Sequence, residues 1–206
     1  MDEIFELFPT PVMRSPKLIP LELLNVLRAE LAESAKLQNS GSEELFHSKM
    51  MNSKDSVAVS ELIQQILPKI VELGVHLLGE KLTWRVKDLW MNQMLGGGRQ
   101  AIHNHANSFI SGIVYLSDSH PSASTVFTRA LGGPPFVFSN RHASSVVGPF
   151  NADQWISPAP QAGDVLLFPS GLLHEVPINK GATRATLAFN AIPERIRAWD
   201  YSLELE

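Results

Sequence analysis

The hydrophobic period of this chain changes once, near residue 82, and that change limits it to helices followed by β-structure. Upstream, Leu21, Leu24, Leu27 and Leu31 recur at helical spacing behind Pro20, which predicts a helix opening on that proline. Val59, Leu62, Ile63, Ile66, Ile70, Leu73 and Leu77 predict a second helix over about 57–78, with Pro68 expected to kink or divide it and His76 beside the stripe. Downstream, Leu82, Trp84 and Val86 alternate with Thr83, Arg85 and Lys87, and the extended pattern continues over 90–95. Further strands are predicted at 108–116, 124–128, 136–138, 145–147, 164–168 and 183–191, separated by turns rich in Gly, Pro, Ser and Asp. Residues 4–14 read as an edge strand or extended arm, and the polar stretch 38–56 as a loop. Many short strands behind a helical segment predict a mainly β protein with N-terminal helices (α+β), folded as a jelly roll. The expected organisation is a single domain, with residues 1–80 as a helical buttress and 82–195 as the β core.

Composition removes several function classes. A net charge of −4 gives no basic field for nucleic acid or anionic lipid. Cysteine is absent, which excludes disulfides, thiolate-held clusters and thiol nucleophiles, and fits a reducing compartment. No apolar run approaches the roughly 18 residues of a bilayer span, and the start Met1-Asp2-Glu3-Ile4 is acidic where a signal peptide is basic. These features predict a cytoplasmic protein. Gly96-Gly97-Gly98 lacks the Gly-Lys-Ser/Thr of a phosphate loop and reads as a turn.

The chemistry lies in an ordered set of polar residues within the β segment. His103 and His105 stand at i and i+2, so on an extended chain they point to one side and can share a metal ion. His174 follows beyond the apolar run Val165-Leu166-Leu167-Phe168 and supplies a third imidazole. Three ligands on one face leave open positions, as a non-haem ferrous centre needs. With seven histidines in the chain the pair alone carries little; its weight comes from the order of pair, strand, turn, strand, histidine and arginine. Asp164, in the Gly163-Asp164 turn, is expected to serve that turn rather than a metal.

On a strand at 183–191, Arg184, Thr186, Ala188 and Asn190 share one face. An arginine pointing into a barrel requires an anionic partner, and its fork pairs with a carboxylate in two places. If the strand lies at an edge, Arg184 instead faces solvent.

Together these residues resemble the double-stranded β-helix core of the iron(II)- and 2-oxoglutarate-dependent oxygenases, over residues 83–195. The likeness is carried by His103-Asn104-His105, Ile110-Ser111-Gly112-Ile113-Val114-Tyr115-Leu116, Gly163 to Ser170, His174 and Arg184-Ala185-Thr186. It implies Fe(II) held by His103, His105 and His174, and 2-oxoglutarate anchored by Arg184, Thr186 and Tyr115. One position departs from the pattern. Where that superfamily most often has a carboxylate, this chain has His105, or Asn107 if the pair is read as His105-x-Asn107, and three imidazoles leave a more positive iron. The alternatives are a three-histidine dioxygenase without 2-oxoglutarate and a non-catalytic jelly-roll module. The expected partner is a small-molecule or peptide substrate, with room for a homodimer. The stretch 131–155 is expected near the barrel mouth, where loops set specificity.

Overall fold

A computed structural model describes residues 3–205 apart from positions 5, 7, 33, 55 and 130–141. In chain order the elements are β1 (Met13–Ser15), α1 (Leu21–Leu31), β2 (Leu37–Asn39), β3 (Ser42–His47), α2 (Val57–Leu78), β4 (Trp84–Met94), β5 (Gln100–His103) and β6 (Ile110–Tyr115). They continue with β7 (Val126–Thr128), β8 (Gln154–Ile156), β9 (Val165–Pro169), β10 (His174–Val176), β11 (Arg184–Pro193), β12 (Arg195–Ala198) and β13 (Tyr201–Glu204). Seven strands form one sheet in the order β1-β9-β6-β11-β4-β3-β2, and four form a second in the order β5-β10-β7-β8. Every pairing within them is antiparallel.

The two faces of the large sheet do different work. Leu89 and Met91 of β4, Val114 of β6, Val165 and Leu167 of β9, and Leu187 and Phe189 of β11 pack under the two helices. There they meet Leu24, Leu27, Leu62, Ile66 and Ile70, the apolar stripes read from the sequence. Gly74 of α2 allows this approach, because a Cβ there would lie 2.6 Å from the Trp84 indole. The other face, with Ile113, Tyr115, Leu166 and Phe168, packs on Phe127 of the small sheet, so the two sheets enclose an interior in the jelly-roll manner.

Five expectations need correction. Pro20 is the N-cap of α1, one residue outside the helix. The second helix runs unbroken through Pro68, because Pro68 and Gln64, whose carbonyl loses its donor, are both exposed to water. Residues 38–56 are not all loop: β2 and β3 form a hairpin that joins β4 at the sheet edge. Residues 145–147 form no strand, and the extended segment comes later, as β8. The β-structure continues past residue 195 into the β12–β13 hairpin. The strand expected at 136–138 lies outside the described residues. No helix among the described residues is long and apolar enough to cross a membrane.

Candidate metal and anion site

Strand pairing brings the distant histidine to the pair. His174 is the Cα partner of His103 across β10–β5 and of Phe127 across β10–β7. His105 lies two residues beyond the end of β5, where its backbone N–H donates to the Ser170 carbonyl at 2.9 Å. The three imidazoles converge, each offering a ring nitrogen, and these nitrogens lie within 4.8 Å of one another. His105 Nε2 is 3.3 Å from His174 Nε2. No other such cluster of His, Cys, Asp or Glu occurs among the described residues. Asn107, the alternative partner, is exposed and has a φ of 55°, a turn conformation that asparagine tolerates.

The rings are oriented by backbone carbonyls. His103 Nδ1 is 2.8 Å from the Ala101 carbonyl, and His174 Nδ1 is 2.9 Å from that of Leu172. A carbonyl can only accept, so both Nδ1 atoms carry hydrogen and both Nε2 lone pairs are left for a cation. Burial pushes His105 down to a pKa of about 4, reinforced by His103 and opposed by the Asp88 carboxylate. Burial also takes His174 to about 4, against the Leu172 bond and with the help of His103 and His105. Both imidazoles are therefore neutral at pH 7, as metal ligation requires. Phe168 packs edge-on to His174 at 4.7 Å between centroids, and Trp90 lies 5.8 Å from His105.

Deeper inside, the shared face expected on β11 is present. Arg184 is 4% exposed and Thr186 1% exposed, on a central strand between β4 and β6, so the edge-strand alternative is set aside. Arg184 Nη1 lies 3.4 Å from Thr186 Oγ1, and its Cζ sits 5.1 Å over the Tyr115 ring. Tyr115 is the register partner of Thr186. Its hydroxyl is 3.1 Å from Thr125 Oγ1 on the facing side of the interior. Nε and Nη2 of Arg184 are buried with no hydrogen-bond partner among the described residues. An unpaired buried guanidinium costs several kcal/mol, so these donors fit an anionic guest. The chemistry of the donors, a planar fork with a hydroxyl beside it, suits a carboxylate.

Asp164 is not part of either site. It accepts from Arg14 at 2.7 Å and from the backbone N–H groups of Lys17 and Gln161, which makes it the turn residue the sequence indicates. Thr125, Phe127 and Trp90 also line the site, and no motif marks them. Thr125 and Phe127 belong to a predicted strand and share one face, a signal that would have put both inside.

Comparison with known proteins adds the following. A family model described as "Putative 2OG-Fe(II) oxygenase" matches residues 88–190, half of the chain. No curated protein sequence matches it. Among solved structures, HygX from Streptomyces hygroscopicus, with nickel and 2-oxoglutarate bound, is similar with a TM-score of 0.65 and 15% identity, over 89% of this chain and 83% of that one. The non-heme alpha ketoglutarate dependent epimerase SnoN of nogalamycin biosynthesis also has a TM-score of 0.65 and 15% identity, over 90% and 80% of the two chains. An oxidoreductase of the 2OG-Fe(II) oxygenase family from Burkholderia pseudomallei has a TM-score of 0.59 and 12% identity, over 87% and 83%. At these identities the structural likeness speaks for the fold, which is the jelly roll expected.

Proposed function

The chain belongs to the 2OG-Fe(II) oxygenase family, an enzyme family whose cofactors are ferrous iron and 2-oxoglutarate, and we propose that its catalytic site is the interior just described. In this reading His103, His105 and His174 hold the iron through their Nε2 atoms. Arg184, Thr186 and Tyr115 hold the distal carboxylate of 2-oxoglutarate. When bound, the pair supplies the oxidising chemistry, in which dioxygen converts 2-oxoglutarate to succinate and carbon dioxide and oxidises a substrate. The reaction we assign is hydroxylation of a C–H bond of a small molecule. The similar structures include HygX with hygromycin B bound and SnoN in complex with nogalamycin RO.

The chain's own groups bind, orient and exclude water. The Ala101 and Leu172 carbonyls keep their imidazoles in the tautomer that presents Nε2. The low pKa of His105 and His174 means that no proton has to leave either before the ion enters at neutral pH. Phe127, Phe168, Ile113 and Leu166 wall the interior with apolar surface and strengthen the Arg184 charge by keeping water from it. The observation that carries the proposal is Arg184, a buried cation with two free donors over Tyr115, which packs in one group with the Phe127 and Phe168 rings that flank His174. The absence of cysteine fits a reducing compartment, and the cytoplasm is the location we propose.

Anaerobic addition of 2-oxoglutarate to the ferrous protein tests the reading. A visible charge-transfer band that appears only with both components, followed on aeration by iron-dependent succinate, is the expected result. Iron binding without that band or succinate would favour a three-histidine dioxygenase that does not use 2-oxoglutarate.

A further inference from the structure

Phe127, on the wall of the histidine site, is also part of a much larger depression. A cleft of about 710 Å3 opens between the N-terminal segment, β7, β8 and the turn that leads into β8. Its apolar lining comes from Phe8, Val12, Phe127, Phe150, Trp155 and Leu172. Two of these residues touch the third histidine: the Phe127 ring lies 6.1 Å from that of His174, and the Leu172 carbonyl holds His174 Nδ1. Phe127 also packs on Trp155, its register partner, with ring centroids 5.8 Å apart. The cleft and the metal site therefore share a wall.

The cleft is built rather than incidental. Arg129 N–H donates to the Asp153 carbonyl at 2.7 Å, and its guanidinium donates to the Phe150 carbonyl at 3.3 Å, which ties the 149–155 wall to β7. The aromatic rings on it remain in water: Phe8 is 94% exposed, Phe150 57% and Trp155 49%. Phe8 also has a φ of 57°, an uncommon backbone for a bulky residue, and it stands on the rim of the cleft. Clustered exposed rings around a concavity are the mark of a ligand groove.

We propose that this cleft receives the prime substrate, and that the substrate is a flat, largely apolar ring system of drug-like size with no strong net charge. The inference rests on the iron site proposed above. Size suits a drug-sized ligand better than a free amino acid or small organic acid, because the cleft falls within the range of about 300–1,000 Å3 that holds such ligands. The exposed rings of Phe8, Phe150 and Trp155 give stacking faces for a planar guest. Glu6, Asp153 and Arg129 put both signs of charge on the lining, which selects against a strongly anionic or cationic molecule. Phe127 lies between Trp155 and His174, so a guest bound against these rings would lie next to the residues that would hold the iron.

The test uses N-phenyl-1-naphthylamine, a neutral aromatic probe, and cobalt(II) as a stand-in for ferrous iron. The probe should bind the whole protein saturably with a blue shift. Trp155→Ala should weaken it by about tenfold, which is the loss of one stacking face, and Phe150→Ala by less. Trp199→Ala, 95% exposed on the C-terminal hairpin, should leave it unchanged. Cobalt binding, read from its own visible absorption, should then quench the bound probe. No saturable binding, or binding indifferent to Trp155→Ala, overturns the proposal. So does a concentration-dependent dimer in sedimentation that Trp155→Ala abolishes, since the cleft would then hold a second copy. Cobalt that binds without quenching leaves the metal site standing and separates the cleft from it. Cobalt that fails to bind removes the metal site itself, and the cleft assignment with it.

Discussion

Two arginines of this chain stand within reach of the same strand–turn system but end differently. Arg14, on the edge strand β1, reaches Asp164 at 2.7 Å, and the backbone N–H groups of Lys17 and Gln161 complete the carboxylate's partners. Arg184, on the central strand β11, is more deeply buried, and its contacts among the described residues are a long one to Thr186 and the Tyr115 ring. A charge that the fold neutralises for itself serves the fold; one left open inside the barrel can take a guest, the role proposed for Arg184. The histidine cluster lies between these extremes. The Nδ1 atoms of His103 and His174 are satisfied by carbonyls, which leaves their Nε2 atoms for a cation.

The largest effect should come from the cluster. His174→Ala removes one of three ligands and should lower ferrous affinity by more than about a hundredfold, since losing even an outer-shell partner costs 10–100-fold. Circular dichroism should show the fold retained, because His174 holds only a three-residue strand. Unaltered iron affinity in a chelator competition would remove His174 from the metal site and break the contrast at its metal end.

The two arginine sites should then respond oppositely in stability. Asp164→Asn should cost about 1–3 kcal/mol in urea unfolding, because charge-assisted bonds are lost in a buried turn. Arg184→Met should cost nothing, and gains on the order of 1 kcal/mol in the ligand-free protein, since an unpaired buried charge is replaced by an apolar chain of similar length. If Arg184→Met destabilises like Asp164→Asn, Arg184 is a structural residue. Acid sharpens the same comparison. Burial alone would raise the Asp164 pKa, but Arg14, Lys17 and Gln161 outweigh it and hold the group below 3.8. Its folded value is depressed, so its contribution is complete above pH 3.8 and is lost as the pH falls through the lower folded value. The stability gap between wild type and Asp164→Asn should therefore be constant from neutrality to about pH 4 and shrink below it.

The smallest effect belongs to Thr186→Val, which keeps shape and removes a hydroxyl. 2-Oxoglutarate affinity should fall roughly three- to tenfold, the worth of one neutral hydrogen bond. No change in calorimetry would confine the anion site to the guanidinium and Tyr115.

Much of this was legible in the sequence because periodicity reports burial. The stripes of α1 and α2 and the alternation of β4 and β11 each mark a buried face, and the His-x-His, His174 and Arg184 order follows the strands that present those residues. What escaped the sequence lacks such a face. In β3 only Leu45 is buried, and all three residues of β8 are exposed, so neither shows a core period. The C-terminal hairpin does alternate, pairing Ile196 with Leu203 and Ala198 with Tyr201, but it turns through Trp199 at a φ of 51°, with no glycine or asparagine to announce it. The pairing of β10 with β5 and β7 is long-range, and no local pattern marks a three-residue strand. The Tyr115–Thr125 contact across the interior is hidden for the same reason.

Calorimetry of 2-oxoglutarate on the anaerobic, metal-loaded protein tests the central claim most directly, comparing wild type with Arg184→Lys. Lysine keeps the charge but not the planar fork, so affinity should fall roughly tenfold to a hundredfold while iron affinity without 2-oxoglutarate stays the same. Equal 2-oxoglutarate affinity in the two proteins would contradict the account, because the open donors of Arg184 would then have no guest.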